Sequence, residues 1–101
     1  MPRVLRSDLA AKDLLDIWHY ISDFNVAAAD RVLGEIGAKC EMLAEMPHVG
    51  HLRPDLHPEL KCSVAGSYVI FYREIDGGIE VARVLHGRRD FRAIDFGQRT
   101  D

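Results

Sequence analysis

Tyr68-Val69-Ile70-Phe71-Tyr72-Arg73-Glu74-Ile75-Asp76-Gly77-Gly78-Ile79-Glu80-Val81-Ala82-Arg83-Val84-Leu85-His86 decides the fold. The runs on either side of Asp76-Gly77-Gly78 are rich in β-branched and aromatic residues, which pack well on a pleated surface, and the glycines supply the backbone freedom of a tight turn. They predict an antiparallel hairpin of Tyr68 to Ile75 and Ile79 to His86. A slip of one residue in the turn swaps the faces paired across it, so two registers are open. One sets Arg73 on the face of Arg83, the other with His86. Upstream, Leu60 to Val64 is a third such run, joined through Ala65-Gly66-Ser67, which makes a three-stranded meander.

Further towards the amino end, residues 47–58 hold three of the four prolines, a glycine and no period, and read as a loop. Before them, Ala29, Leu33, Ile36, Cys40 and Leu43 recur at helical spacing behind Asn25, a good N-cap. Ala10, Leu14, Ile17 and Ile21 do the same behind Ser7-Asp8, with Trp18 on or beside the apolar stripe and expected to be buried. The short link Ser22-Asp23-Phe24-Asn25 makes the two helices antiparallel neighbours. Pro2 to Arg6 reads as a short strand, and Gly87 to Phe96 as a tail with one short helix at Phe91 and Ile94. The expected architecture is α+β, in the order β-α-α-β-β-β, a helical hairpin packed on a small, largely antiparallel sheet.

A chain of 101 residues builds one core, so residues 1–101 are expected to form a single domain. No apolar run reaches the roughly 20 residues that cross a bilayer, and the amino end lacks the apolar stretch of a signal peptide. A cytoplasmic location without membrane contact is expected. Cys40 and Cys62 should then be free thiols, with Cys40 buried. The net charge of −3 argues against coating nucleic acid by bulk electrostatics. Charge is nonetheless polarised. Residues 7–46 hold three basic against eight acidic side chains, whereas residues 81–92 hold four arginines against one aspartate.

Chemistry-bearing clusters are few. His48, His51, His57 and Cys62 match no zinc spacing, so no metal is expected. No nucleophile elbow and no phosphate-cradling glycine loop is present, so neither a cofactor nor a small-molecule substrate is expected. The remaining cluster is Arg53, Lys61, Arg73, Arg83, His86, Arg88 and Arg89. A metal-free ribonuclease needs a base near neutral pKa and cations for the phosphorane, and His86 with Arg88 and Arg89 has those groups. A solvated basic edge, or a dock for an acidic partner, has them equally.

Gly66 to Arg73 and Ile79 to His86, together with Asp13 to Ile21, Ala27-Ala28-Ala29 and Met46-Pro47-His48-Val49-Gly50, resemble the ParE branch of the RelE/ParE toxins of bacterial toxin–antitoxin systems. The resemblance spans practically the whole chain and implies the same β-α-α-β-β-β order. It implies a toxin held in a hetero-oligomer by a ParD-like antitoxin, with DNA gyrase as target and replication as the process stopped, and no enzymatic activity of its own. The alternative within the superfamily is a RelE-like, ribosome-dependent messenger RNA endoribonuclease, for which His86, Arg73, Lys61 and Arg88 are the candidate catalytic residues. Nucleases of that branch typically place an arginine directly after the tyrosine that opens the central strand, where this chain has Val69. A second alternative is a non-toxic binding module of the same fold. Arg53, Arg73 and Arg83 are the expected contacts to antitoxin carboxylates, and His86, Arg88, Arg89 and Arg92 the expected contacts to the target.

Overall fold

A computed structural model describes residues 2–97. Strand β1 (Arg3–Arg6) leads into helix α1 (Asp8–Ser22) and helix α2 (Val26–Glu45). Ser7 caps α1 by accepting from the Ala10 N–H at 3.0 Å, and Asn25 caps α2 by accepting from the Ala28 N–H at 3.0 Å. Beyond Pro47 the chain forms a one-turn 3-10 helix, Pro47–Val49, and a two-residue strand β2, His51–Leu52, inside the stretch that its sequence marks as loop. Strands β3 (Lys61–Ala65), β4 (Tyr68–Ile75) and β5 (Gly78–His86) follow as the expected meander. The tail holds a single 3-10 turn at Phe91–Ala93.

The five strands lie in the order β1-β5-β4-β3-β2. β1 runs parallel to β5 and the other neighbours are antiparallel, so the sheet is mixed. Two helices on a five-stranded mixed sheet make the α+β fold that the sequence predicts, with β2 added. The hairpin turn is Asp76-Gly77, with Gly77 at φ +80° and Ile75 opposite Gly78. A Cβ on Gly78 would run into the Arg3 backbone carbonyl, so the parallel pairing requires glycine there.

Two clusters sandwich the sheet. On one face, Ala10 and Ile17 of α1 and Ile36, Cys40 and Leu43 of α2 pack on Ile70, Tyr72, Ile79, Val81 and Val84. On the other, Leu60, Phe71, Ala82 and Leu85 are covered by Phe96, with Phe91 and Ile94 at the margin. The tail is therefore a strap over the second face. A bulge sets both Ala82 and Arg83 opposite Phe71, because Phe71 pairs with Arg83 and Tyr72 with Val81. Residues directly opposite share a face, which places Arg83 with Phe71 and Arg73 on the strap side. Next to the turn the second of the two registers holds, with Arg73 opposite Glu80, and the bulge then shifts the pairing by one residue, so that Arg83 comes to the face of Arg73. His86 pairs with Tyr68, on the helical side.

Candidate functional site

The parallel strand β1 ends at Arg6, opposite Val81, and leaves the rest of β5 with an open edge. Side chains close it. The Ser7 hydroxyl donates to the Ala82 carbonyl at 2.8 Å, and Asp13 of α1 accepts from the Val84 N–H at 3.0 Å. The same carboxylate takes Arg83 in a fork, Nε at 2.7 Å and Nη2 at 2.8 Å, while Arg83 Nη1 donates to the Asp95 carbonyl at 2.8 Å. Arg83 thus joins α1, β5 and the strap. Its hydrogen bonding to the Asp13 carboxylate is the main reason its pKa is held above the ordinary arginine value, against the opposing effect of burial.

Arg73 is only 1% exposed. Its guanidinium donates to the carbonyls of Phe96 at 3.1 Å and Gly97 at 2.9 Å, and Nη1 stands 3.8 Å from Glu80. Arg53 forks onto Asp55 at 2.9 and 3.0 Å, with its guanidinium 6.0 Å over the Phe91 ring. All three arginines expected to meet antitoxin carboxylates therefore already hold a carboxylate of this chain. Arg73 in addition lies beneath the strap. Sequence shows the charge of an arginine, but the bulge and the strap that engage Arg83 and Arg73 arise from pairings between distant segments.

The four nuclease candidates do not converge. Arg73 faces the strap, and Lys61 at the opposite end of β4 from His86 pairs with Glu74 at 3.2 Å. Lys61 is opposite Tyr72 and His86 opposite Tyr68, four residues or roughly 13 Å apart along the strand. His86 Nδ1 accepts the Arg88 backbone N–H at 3.2 Å, which sets the neutral ring as the Nε2–H tautomer. Val69 packs with the Phe71 cluster. Of the residues expected at the target, Arg88, Arg89 and Arg92 are exposed, and Arg92 pairs with Asp90 at 3.3 Å.

The concavity that sequence reading missed is a groove of about 400 Å³ between the helices, walled by Leu14, Leu15 and Trp18 of α1 and Leu33 and Gly37 of α2, with Cys40 and Val81 in its floor. A Cβ at Gly34 or Gly37 would meet nothing within 4 Å, so the α2 wall is open. A second hollow shares Arg6, Gly37 and Cys40 with it and continues to Val4 and Leu5 on β1. Trp18, expected in the core, is only half-buried: it stands in this wall and its Nε1–H donates to Asp30 at 2.9 Å. The helical period gives the right side of the helix, but the position lies at the edge of the stripe, where no sheet residue covers it. Gly34 and Gly37, small residues on a helix, were the signal available for the groove.

Both cysteines are free. Burial raises the Cys40 thiol above its ordinary pKa, so it is protonated at neutral pH and a weak nucleophile. In a mass-spectrometric time course with iodoacetamide, Cys62 is expected to label before Cys40. The reverse order would show that the groove floor opens. Among the described residues no cluster of three metal-ligating side chains occurs, and no helix is long and apolar enough to cross a membrane.

Residues 4–91 match the family described as ParE toxin of the type II toxin–antitoxin system parDE. The chain is similar to Toxin ParE1 of Caulobacter vibrioides, 36% identical over 85 residues, which cover 83% of this chain and 88% of the relative. It is also similar to Toxin RelE2 of the same organism, 34% identical over 89 residues, covering 88% and 99%. Its fold matches a chain of the chromosomal ParDE system from P. aeruginosa with a TM-score of 0.70 at 20% identity, over 85% of this chain and 96% of that one. The two helices on a mixed five-stranded sheet, with the match from Val4 through Phe91, establish that the chain belongs to the ParE toxin family of type II toxin–antitoxin systems.

Proposed function

We propose that the protein arrests growth by inhibiting DNA gyrase in the cytoplasm, that His86, Arg88, Arg89 and Arg92 contact the target, and that a ParD-like antitoxin restrains it. The observation carrying this reading is the dispersal of Lys61, Arg73, His86 and Arg88 over two faces and two ends of the sheet. A cyclising nuclease must bring a base and preorganised cations to one phosphate, and each missing donor costs on the order of 100- to 1000-fold in rate. The interhelical groove suits the apolar face of an antitoxin helix, and Arg6 at its rim suits an acidic residue of that helix. Trp18 and Leu15, the latter 57% exposed, are the groove's large apolar contacts.

The test induces the chain in a bacterial host with and without a co-expressed ParD-like antitoxin, and assays the purified protein on supercoiling and on programmed ribosomes. Growth arrest with a DNA-damage response and blocked supercoiling is expected. Message cleavage that His86→Ala abolishes, with supercoiling untouched, would establish the ribosomal nuclease instead. Normal growth would leave the non-toxic module. For the groove, Trp18→Ala should weaken antitoxin binding by about 30-fold, as hot-spot truncations do, while shifting the melting temperature only slightly. A large melting shift with unchanged affinity would return Trp18 to the core.

A further inference from the structure

Tyr20 and Phe24 are 69% and 82% exposed at the tip of the helical hairpin, yet their rings already meet edge to face at 6.0 Å. An aromatic pair held together without burial is preorganised area, the kind that dominates the centre of protein interfaces. Tyr20 also lines an open cleft of about 580 Å³ between α1 and the end of the hairpin strands, whose opposite wall holds Tyr68, His86 and Arg89. Tyr68 and His86 meet at 5.4 Å, nearly perpendicular. The cleft is therefore aromatic on both sides and basic at its mouth.

Two cations stand at that end of the cleft. Arg53, Arg73, Arg83 and Arg92 each hold a carboxylate, whereas the exposed side chains of Arg88 and Arg89 form no ion pair among the described residues. An unpaired guanidinium keeps its planar fork for a carboxylate supplied from outside. Asp13 and Asp16 line the same cleft and the whole chain carries −3, a field that opposes every anion but falls hardest on a polyphosphate chain with a charge at each nucleotide, and least on a segment whose few carboxylates rest on Arg88 and Arg89. We infer that Tyr20, Phe24, Arg88 and Arg89 form one docking surface for an acidic protein segment bearing an apolar anchor, with the anchor against the aromatic pair and the carboxylates on the two arginines. This rests on the target-contact reading above and deepens it: the surface is read by protein, and the hairpin tip belongs to it.

The geometry separates this surface from the groove. Leu14, Leu15 and Trp18 face the groove on one flank of α1, while Asp16, Ile17 and Tyr20 line the cleft on another. Changes at the tip should therefore spare the antitoxin. Three full-length variants test the surface: Tyr20→Ala with Phe24→Ala, Arg88→Glu with Arg89→Glu, and Phe24→Gln alone, whose exposed side chain contributes little to folding. Each is induced for growth arrest, melted, titrated with the ParD-like antitoxin that neutralises the parent, and assayed on supercoiling. The double variants should lose growth arrest and raise the concentration for half-inhibition of supercoiling about 30-fold, with antitoxin affinity within about threefold of the parent. Phe24→Gln should shift inhibition in the same direction with an unchanged melting curve. Undiminished arrest in the aromatic variants would overturn the proposal, as would loss in the arginine variant alone accompanied by competition from mixed-sequence single-stranded DNA. If the parent leaves supercoiling untouched while the variants still lose growth arrest, the surface stands and gyrase falls as its target.

Discussion

Asp13→Ala lowers unfolding stability by about 3–5 kcal/mol, the range for removing one partner of a buried ion pair. The carboxylate is 10% exposed, its partner Arg83 14%, and it accepts three hydrogen bonds, from Arg83 Nε, Arg83 Nη2 and the Val84 N–H. Its loss leaves a guanidinium away from bulk water and an unpaired N–H on the open edge of β5, and each carries a desolvation penalty. Arg83→Ala should fall short of the same loss, because truncating the cation leaves the Val84 bond to Asp13 intact. The double variant should be less destabilised than the two singles added together, by at least about 1 kcal/mol, since both remove the same contact. Urea titrations of all four proteins measure it. Additivity within about 0.5 kcal/mol would show that the fork contributes nothing of its own.

The second large effect is expected at Phe71. Its side chain is fully buried, with the rings of Phe91 and Phe96 at 4.9 and 4.8 Å. Truncation to alanine in such a site costs about 3–5 kcal/mol, through lost transfer energy and the cavity left behind. The effect should be local as well as global. Without Phe71 the strap loses the ring on which it rests, and trypsin should cut after Arg92 faster than in the parent under native conditions. A melting temperature within about 4 °C of the parent would mean that the strap collapses into the space and restores the packing.

The helices were legible because each advertises itself twice, by apolar spacing and by a capping residue, and both caps bond as such residues do. The hairpin was legible for the same reason: β-branched runs and a glycine turn agree. β2 was not, since two residues among prolines carry no period, and its pairing with β3 is supplied by the partner strand. At the site the charges were legible and their partners were not. Arginines were identified by charge alone, and charge does not say whether a guanidinium meets solvent or a carboxylate seventy residues away, as Arg83 meets Asp13. Trp18 was misplaced because periodicity gives the direction of a side chain and not what stands opposite. Exposed aromatics such as Tyr20 and Phe24 look like core residues in a sequence; only the folded chain, which leaves them 69% and 82% exposed, shows that they are not.

The pairing of β1 with β5 joins Arg3 to Gly78 and Arg6 to Val81, the first strand of the chain to its last. Chain closure over such a span is entropically unfavourable until the rest of the core repays it, so this contact belongs late in folding. On the ribosome it cannot form at all before β5 has been translated and has left the exit. The amino-terminal strand and the hairpin wait as a partly exposed amphipathic layer, with the floor of the groove unfinished, because Val81 is part of that floor. The groove proposed for the antitoxin and the strand end that carries His86 are thus completed in one step, when β5 takes its place beside β1, and neither surface exists on the growing chain before then.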